Sequence, residues 1–95
     1  LLIFSLTSMS MTVIDVRSKD EWNTGYLEGA LHIEWHDILQ ISTQISKDEQ
    51  IYLYCRSGNR SEKATKILLE AGFINAKNAG SINEASKLLG IEIIN

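Results

Sequence analysis

A single cysteine stands in the run Leu53-Tyr54-Cys55-Arg56-Ser57-Gly58-Asn59-Arg60-Ser61, where an apolar stretch gives way to a polar, glycine-containing turn and then to a helical pattern. The N–H groups of such a turn, added to the positive end of the following helix, form an anion cradle that can draw a thiol pKa below neutral. Cys55 is therefore the candidate nucleophile. Four residues separate Cys55 from Arg60, one fewer than in the phosphatase-type Cys-x5-Arg loop. A residue adds up to about 3.5 Å of chain. The longer loop can surround a tetrahedral phosphate, whereas this one is expected to close around something nearer one atom, such as a sulfur carried by the cysteine. The outer sulfur of that persulfide would be anionic, held by inward-pointing N–H groups and still transferable.

The neighbours of Cys55 divide the work. Arg56 is expected at the pocket rim, where it can steer an anionic sulfur donor such as thiosulfate, an effect that salt screens. Ser57, Gly58 and Asn59 act through their backbone N–H groups, and Gly58 supplies a conformation that a side chain would obstruct. Ser61 caps or hydrogen-bonds within the first helical turn. Arg60 either closes the cradle or braces the turn by bonding a carboxylate or a carbonyl. Asp15, an acid at a strand end, suggests acid–base work, but a structural role with Arg17 is favoured. Arg17 and Glu21, four apart at a helix start, are expected to form a local ion pair. His32 and His36 also lie four apart, yet His32 falls on a predicted strand and no further ligand completes a set, so no metal site is expected. Trp22, Trp35 and Tyr26 read as core or pocket-wall aromatics.

Strands must alternate with helices to hold this constellation. Thr12 to Val16 and Ala30 to Ile33 read as strands. Between them Ser18 is a plausible N-cap, with Glu21 completing a capping box for a short helix that ends before Gly25. Trp35, Ile38, Leu39, Ser42 and Ile45 recur at helical spacing and predict an amphipathic helix ending near Lys47. Ile51 to Tyr54 is a near-continuous apolar strand of the parallel, central type. Ala64, Ile67, Leu68 and Ala71 mark the buried face of a helix that begins about Asn59 or Arg60 and is closed by Gly72. Ile74 to Lys77 is a fourth short strand, Glu84 to Leu89 a last helix stopped by Gly90, and Ile91 to Ile94 a returning edge strand. The expected fold is α/β: a parallel sheet of four to five strands, helices on both faces, and the ligand at the carboxyl ends of the strands.

A chain of 95 residues with 44% hydrophobic content buries one modest core, so residues 11–95 are expected to be one domain and a monomer. A net charge of −3, with the basic residues scattered outside the cysteine loop, argues against a nucleic-acid partner. The lone cysteine rules out an intramolecular disulfide. Residues 1–10 read as an N-terminal extension whose apolar run Leu1 to Leu6 is too short to span a bilayer, which takes about 20 apolar residues. That run is either the end of a signal peptide, implying a periplasmic protein, or an ordinary extra strand or residues foreign to a chain that starts at Met9 or Met11, implying a cytoplasmic one.

The cysteine loop, with Asp15-Val16-Arg17, Glu21-Trp22, Gly25-Tyr26-Leu27, Gly29-Ala30-Leu31-His32-Ile33 and Asn78-Ala79-Gly80, resembles the rhodanese family in order and spacing from Val13 to about Gly80. The likeness is to its small single-domain members. Tyr26 stands where histidine is commonest, His32 where asparagine is, Glu34 where proline usually follows, and Ser81 replaces the second glycine of a late Gly-Gly turn. The resemblance implies a rhodanese-like fold and a sulfurtransferase: Cys55 takes a sulfane sulfur from thiosulfate or a related donor and gives it to cyanide or a thiol, including that of a thioredoxin-like protein. The mechanism is ping-pong and needs no cofactor besides the covalent persulfide. The resemblance also makes Arg60 the loop-closing residue and has Asp15 and Arg17 hold neighbouring loops. The alternatives are a persulfide relay or partner-binding module and a phosphatase or arsenate reductase on the same general fold.

Overall fold

In the computed structural model residues 10–95 are described, so the expectation for the N-terminal extension lies, Ser10 apart, outside the described residues. The first strand, β1 (Met11–Asp15), pairs in parallel with β3 (Leu31–His32) on one side and with β4 (Gln50–Cys55) on the other. β5 (Ala76–Ser81) adds to the far edge of β4, giving a four-stranded parallel sheet in the order β3-β1-β4-β5. Helices α1 (Lys19–Trp22), α2 (Asn59–Glu70) and α3 (Ile82–Leu89), and a 3-10 helix over Trp35–Thr43, surround it. Among the described residues no helix is long and apolar enough to cross a membrane.

The pleat of the central strands divides the core in two, because successive side chains leave opposite faces. Ile14, Ile51, Leu53 and Cys55 point to one face, where Ile38 and Ile41 of the 3-10 helix, Ala64 and Leu68 of α2, and Phe73 cover them. Val13 and Tyr54 point to the other and meet Leu27, Ala79 and Ala85 of α3. Cys55 therefore belongs to the α2 face, and the chain turns directly from it into α2.

Three elements depart from the sequence expectations. The predicted amphipathic α-helix ending near Lys47 is a 3-10 helix, with Ile38 and Ile41 buried and Leu39 49% exposed. Three residues per turn aligns positions i and i+3, and a run holding three β-branched residues and a serine after Ile38 is a poor α-helix former. The fourth strand starts two residues later than predicted and runs to Ser81; Ile74 is 71% exposed while Phe73 is fully buried. The Ala-Lys-Asn-Ala-Gly-Ser segment carries little hydrophobic signal and is a strand because β4 pairs with it. The last strand, β6 (Ile93–Ile94), does not join the main sheet but pairs antiparallel with β2 (Tyr26–Leu27), a two-residue strand that local pattern does not separate from the Gly25 turn.

The helix starts follow local chemistry. Ser18 caps α1, its hydroxyl accepting from the Glu21 N–H while the Glu21 carboxylate accepts from the Ser18 N–H. Ser81 and Glu84 repeat this capping box at α3, so the serine at the second position of the expected Gly-Gly turn is a helix cap. The glycine before it cannot be replaced cheaply: Gly80 has φ +87°, and a Cβ there would sit 2.6 Å from the capping carboxylate of Glu84.

Glu21 does not pair with Arg17. Its carboxylate receives both terminal nitrogens of Arg60, at 2.7 and 3.0 Å, tying α1 to the first turn of α2. Arg17 is occupied elsewhere, with a bidentate grip on Asp15 (2.7 to 3.0 Å) and a bond to the Gly25 carbonyl at 2.6 Å. The bond from Arg60, which outweighs partial burial and is joined by Ser18, holds the Glu21 carboxyl down at about 2.

Two outcomes follow for stability. Phe73→Ala should cost ~3–5 kcal/mol in urea unfolding, whereas Ile74→Ala should change it by no more than ~0.5 kcal/mol; similar losses at both would contradict the burial of Phe73 and the exposure of Ile74. Glu21 has a folded-state pKa below its ordinary 4.5, so it contributes stability above that pH and loses the contribution as pH falls towards about 2. Glu21→Gln should be less stable than the parent at neutral pH, and the gap should narrow across that acid window.

Candidate functional site

Cys55 is the last residue of β4 and fully buried, and α2 begins four residues later. Gly58 is the N-cap of α2 with φ +95°, a left-handed conformation that turns its N–H back onto the Cys55 Sγ at 3.0 Å. The Ser61 Oγ lies 3.3 Å from the same sulfur. Burial alone would raise the Cys55 thiol; the Ser61 hydroxyl and the N–H groups of Ser61, Ser57 and Gly58 outweigh it and set the thiol below its ordinary value. The positive end of the 12-residue helix α2 acts in the same direction.

Arg60 is part of the frame. Its guanidinium is engaged on Glu21, which with burial overcome raises its own pKa, and its charge acts on Cys55 from a distance. Arg56 is exposed and enters no ion pair with the described residues. Together with Arg17, Asp20, Glu21 and Thr24 it lines a cleft of about 400 Å³. Within that cleft Arg17 is neutralised by Asp15 and Glu21 by Arg60, so Arg56 and Asp20 carry its unpaired charge. Asp15 is not placed to serve as a base: it is fully buried and both its oxygens are held by Arg17.

The loop residues thus occupy three different situations. Ser57, Gly58 and Ser61 serve the sulfur, Asn59 opens α2, and Arg56 faces the cleft. Tyr26 and His32, which depart from the family pattern, both stack on Trp22, with ring centroids 3.7 and 5.1 Å away. The Nε2 of His32 lies 2.8 Å from the Arg17 carbonyl and donates to it. That bond takes it out of any pairing with His36, which sits exposed beside Asp37.

Asn78 is the residue that sequence reasoning missed. Its Nδ2 donates to the Gly58 carbonyl at 3.0 Å, while its Oδ1 accepts the Gly80 N–H at 2.9 Å and the Ser61 hydroxyl at 2.6 Å. One side chain thereby fixes the turn, the hydroxyl beside the sulfur, and the end of β5. A β-bulge presents it: Leu53 pairs with Asn78 but Tyr54 with Gly80, leaving Ala79 as an extra residue. The sequence marks it only as the first residue of the Asn78-Ala79-Gly80 segment that shares in the family resemblance, with nothing local to tie it to Cys55.

The described architecture has close counterparts. The rhodanese-like domain model matches residues 5–87. The adenylyltransferase and sulfurtransferase UBA4 of Lodderomyces elongisporus is 35% identical over 91 residues, 84% of this chain and 20% of that protein. Thiosulfate sulfurtransferase 16, chloroplastic, of Arabidopsis thaliana is 31% identical over 77 residues, 68% of this chain and 64% of that protein. The chain thus spans about a fifth of the first relative's length and somewhat under two thirds of the second's. The rhodanese-like domain of an Anabaena protein superposes with a TM-score of 0.82 at 24% identity, covering 97% of this chain and 88% of that one, a likeness of fold. With a family model matched along most of its length, on a sheet whose central strand ends in this cysteine turn, the chain belongs to the rhodanese-like domain family.

Proposed function

We propose that the chain is a sulfurtransferase that carries a sulfane sulfur on Cys55 between a small anionic donor and a thiophilic acceptor. The observation that carries this reading is the Gly58 N–H directed onto the Cys55 Sγ at 3.0 Å, in a loop of four residues between Cys55 and Arg60. A pocket of donors around one sulfur stabilises a thiolate and, after transfer, the charge on an outer sulfur. With thiosulfate, the Cys55 thiolate attacks the outer sulfur; a new S–S bond forms, the donor's S–S bond breaks, and sulfite leaves with the electron pair. Cyanide or an acceptor thiolate, such as that of a thioredoxin-like protein, then attacks the outer sulfur and the Cys55 thiolate leaves, so the two half-reactions are ping-pong. Each step conserves charge and needs neither a cofactor nor a separate base.

Arg56 supports an anionic donor, being the exposed cation beside the cysteine in the lining of the cleft. The relative named a thiosulfate sulfurtransferase supports thiosulfate in that role. A phosphatase reading loses its phosphate clamp, because the Arg60 guanidinium is held by Glu21. The relay reading keeps one specific support: the chain matches a fifth of the length of a protein named both adenylyltransferase and sulfurtransferase. In that setting the donor would be a protein persulfide.

Intact-mass measurement before and after thiosulfate, and again after cyanide, tests the reading. The parent should gain one sulfur atom and lose it as thiocyanate, and Cys55→Ser should gain none. A Cys55→Ser variant as active as the parent would sink the mechanism, and a parent that gains sulfur only from a protein persulfide would select the relay. Arg56→Ala should raise KM for thiosulfate about tenfold, ~1.4 kcal/mol, with a smaller change in kcat. The gap between the variant and the parent should close as ionic strength rises.

A further inference from the structure

Ser61 has one hydroxyl proton and two neighbours able to take it. Asn78 Oδ1 lies 2.6 Å from its oxygen and Cys55 Sγ lies 3.3 Å away. The orientation of the Asn78 amide is settled by its other partners, since the Gly80 N–H can only meet an oxygen and the Gly58 carbonyl can only meet an N–H. With the thiol protonated, the bonds run in one direction: the Cys55 S–H donates to Ser61 Oγ, and the Ser61 O–H donates to Asn78. Once the thiol loses its proton, the sulfur becomes an acceptor and competes with Asn78 for the same hydroxyl proton. When the sulfur then becomes the bridging atom of a persulfide, the charge moves to the outer sulfur and the hydroxyl returns to Asn78.

We propose that Asn78 is a positioning residue for the Cys55 chemistry, competing with the thiolate for the Ser61 hydroxyl, so that the sulfur receives this bond only part of the time and stays more basic and nucleophilic than full donation would leave it. A hydroxyl free to bond the sulfur at all times would stabilise the thiolate more and make it a weaker attacking group, because nucleophilicity falls with basicity. The charged groups around the sulfur come from other elements: Arg56 in the turn, Arg60 on α2, Asp15 and Arg17 at the end of β1, and Glu21 on α1. On β5 and α3 the nearby charges are Lys77, which is exposed, and Glu84, which is held by Ser81. None of these charged groups hydrogen-bonds to Asn78. The inference rests on Cys55 as the reacting thiolate.

The pH dependence of Cys55 alkylation by iodoacetamide provides the test, measured without any sulfur donor, so that loss of sulfur transfer and failure of this inference are read separately. Asn78→Ala should lower the midpoint by about one pH unit, a tenfold change in equilibrium, and should slow alkylation on the high-pH plateau. Asn78→Leu, which fills the space without an acceptor, should do the same should the alanine variant not fold. In a Ser61→Ala background the shift should vanish, because no hydroxyl remains to be released. A midpoint that stays or rises in Asn78→Ala and Asn78→Leu, or a fall that persists without Ser61, would overturn the inference; persistence would assign Asn78 to the Gly58 turn alone.

Discussion

A sulfur anion buried at the end of a strand is costly unless donors meet it, and the arrangement around Cys55 depends on the donor at Gly58. Its N–H reaches the Cys55 Sγ because the backbone there is left-handed, and that conformation is usable because the next residue begins α2. The turn is short, so its few N–H groups converge on one atom rather than spreading around a larger anion. What the rest of the structure must do is keep that convergence in place without a ligand present.

Three ties do so from different directions. Glu21 holds Arg60, the second residue of α2, and thereby the helix whose positive end faces the sulfur. Asn78 holds the Gly58 carbonyl from the neighbouring strand, so the peptide that follows Gly58 is fixed opposite the one that serves Cys55. Arg17 closes the third side by joining Asp15, at the end of β1, to the Gly25 carbonyl. The three are charged or amide groups with their polar atoms satisfied; among the described residues, no buried side-chain nitrogen or oxygen lacks a partner. The cost of ordering them is met within the frame, which leaves Arg56 free at the cleft.

Much of this was legible in the sequence where the rule that governs it is local. The Ser18–Glu21 capping box, the strand before Cys55 and the helix after it depend on residues within a few positions of one another, and the pattern names them. Glu21 shows where legibility ends. A rule about neighbours four apart offers it Arg17, but its partner is 39 residues away, chosen by the packing of α1 against the start of α2. Asn78 was illegible for the same reason, since its three partners lie on the turn, on α2 and across the bulge. β5 carries too little apolar pattern to declare itself and is a strand because a neighbour requires it. The 3-10 helix was misjudged because its buried Ile38 and Ile41 are compatible with both helical periods until the exposure of Leu39 separates them.

The extra residue at Ala79 also sets how β5 hands over to α3. Through the bulge Ser81 lies level with Cys55, so α3 starts alongside the cysteine turn. Deleting Ala79 would leave an unbulged ladder with the pairs Tyr54–Gly80 and Cys55–Ser81 kept, but it would remove the step across which Asn78 Oδ1 reaches the Gly80 N–H and would empty a place in the second core cluster. In lineages of this domain Ala79 should accordingly admit only small residues, being buried against Val13, Leu27, Tyr54 and Ala85, although the segment has the composition of a loop.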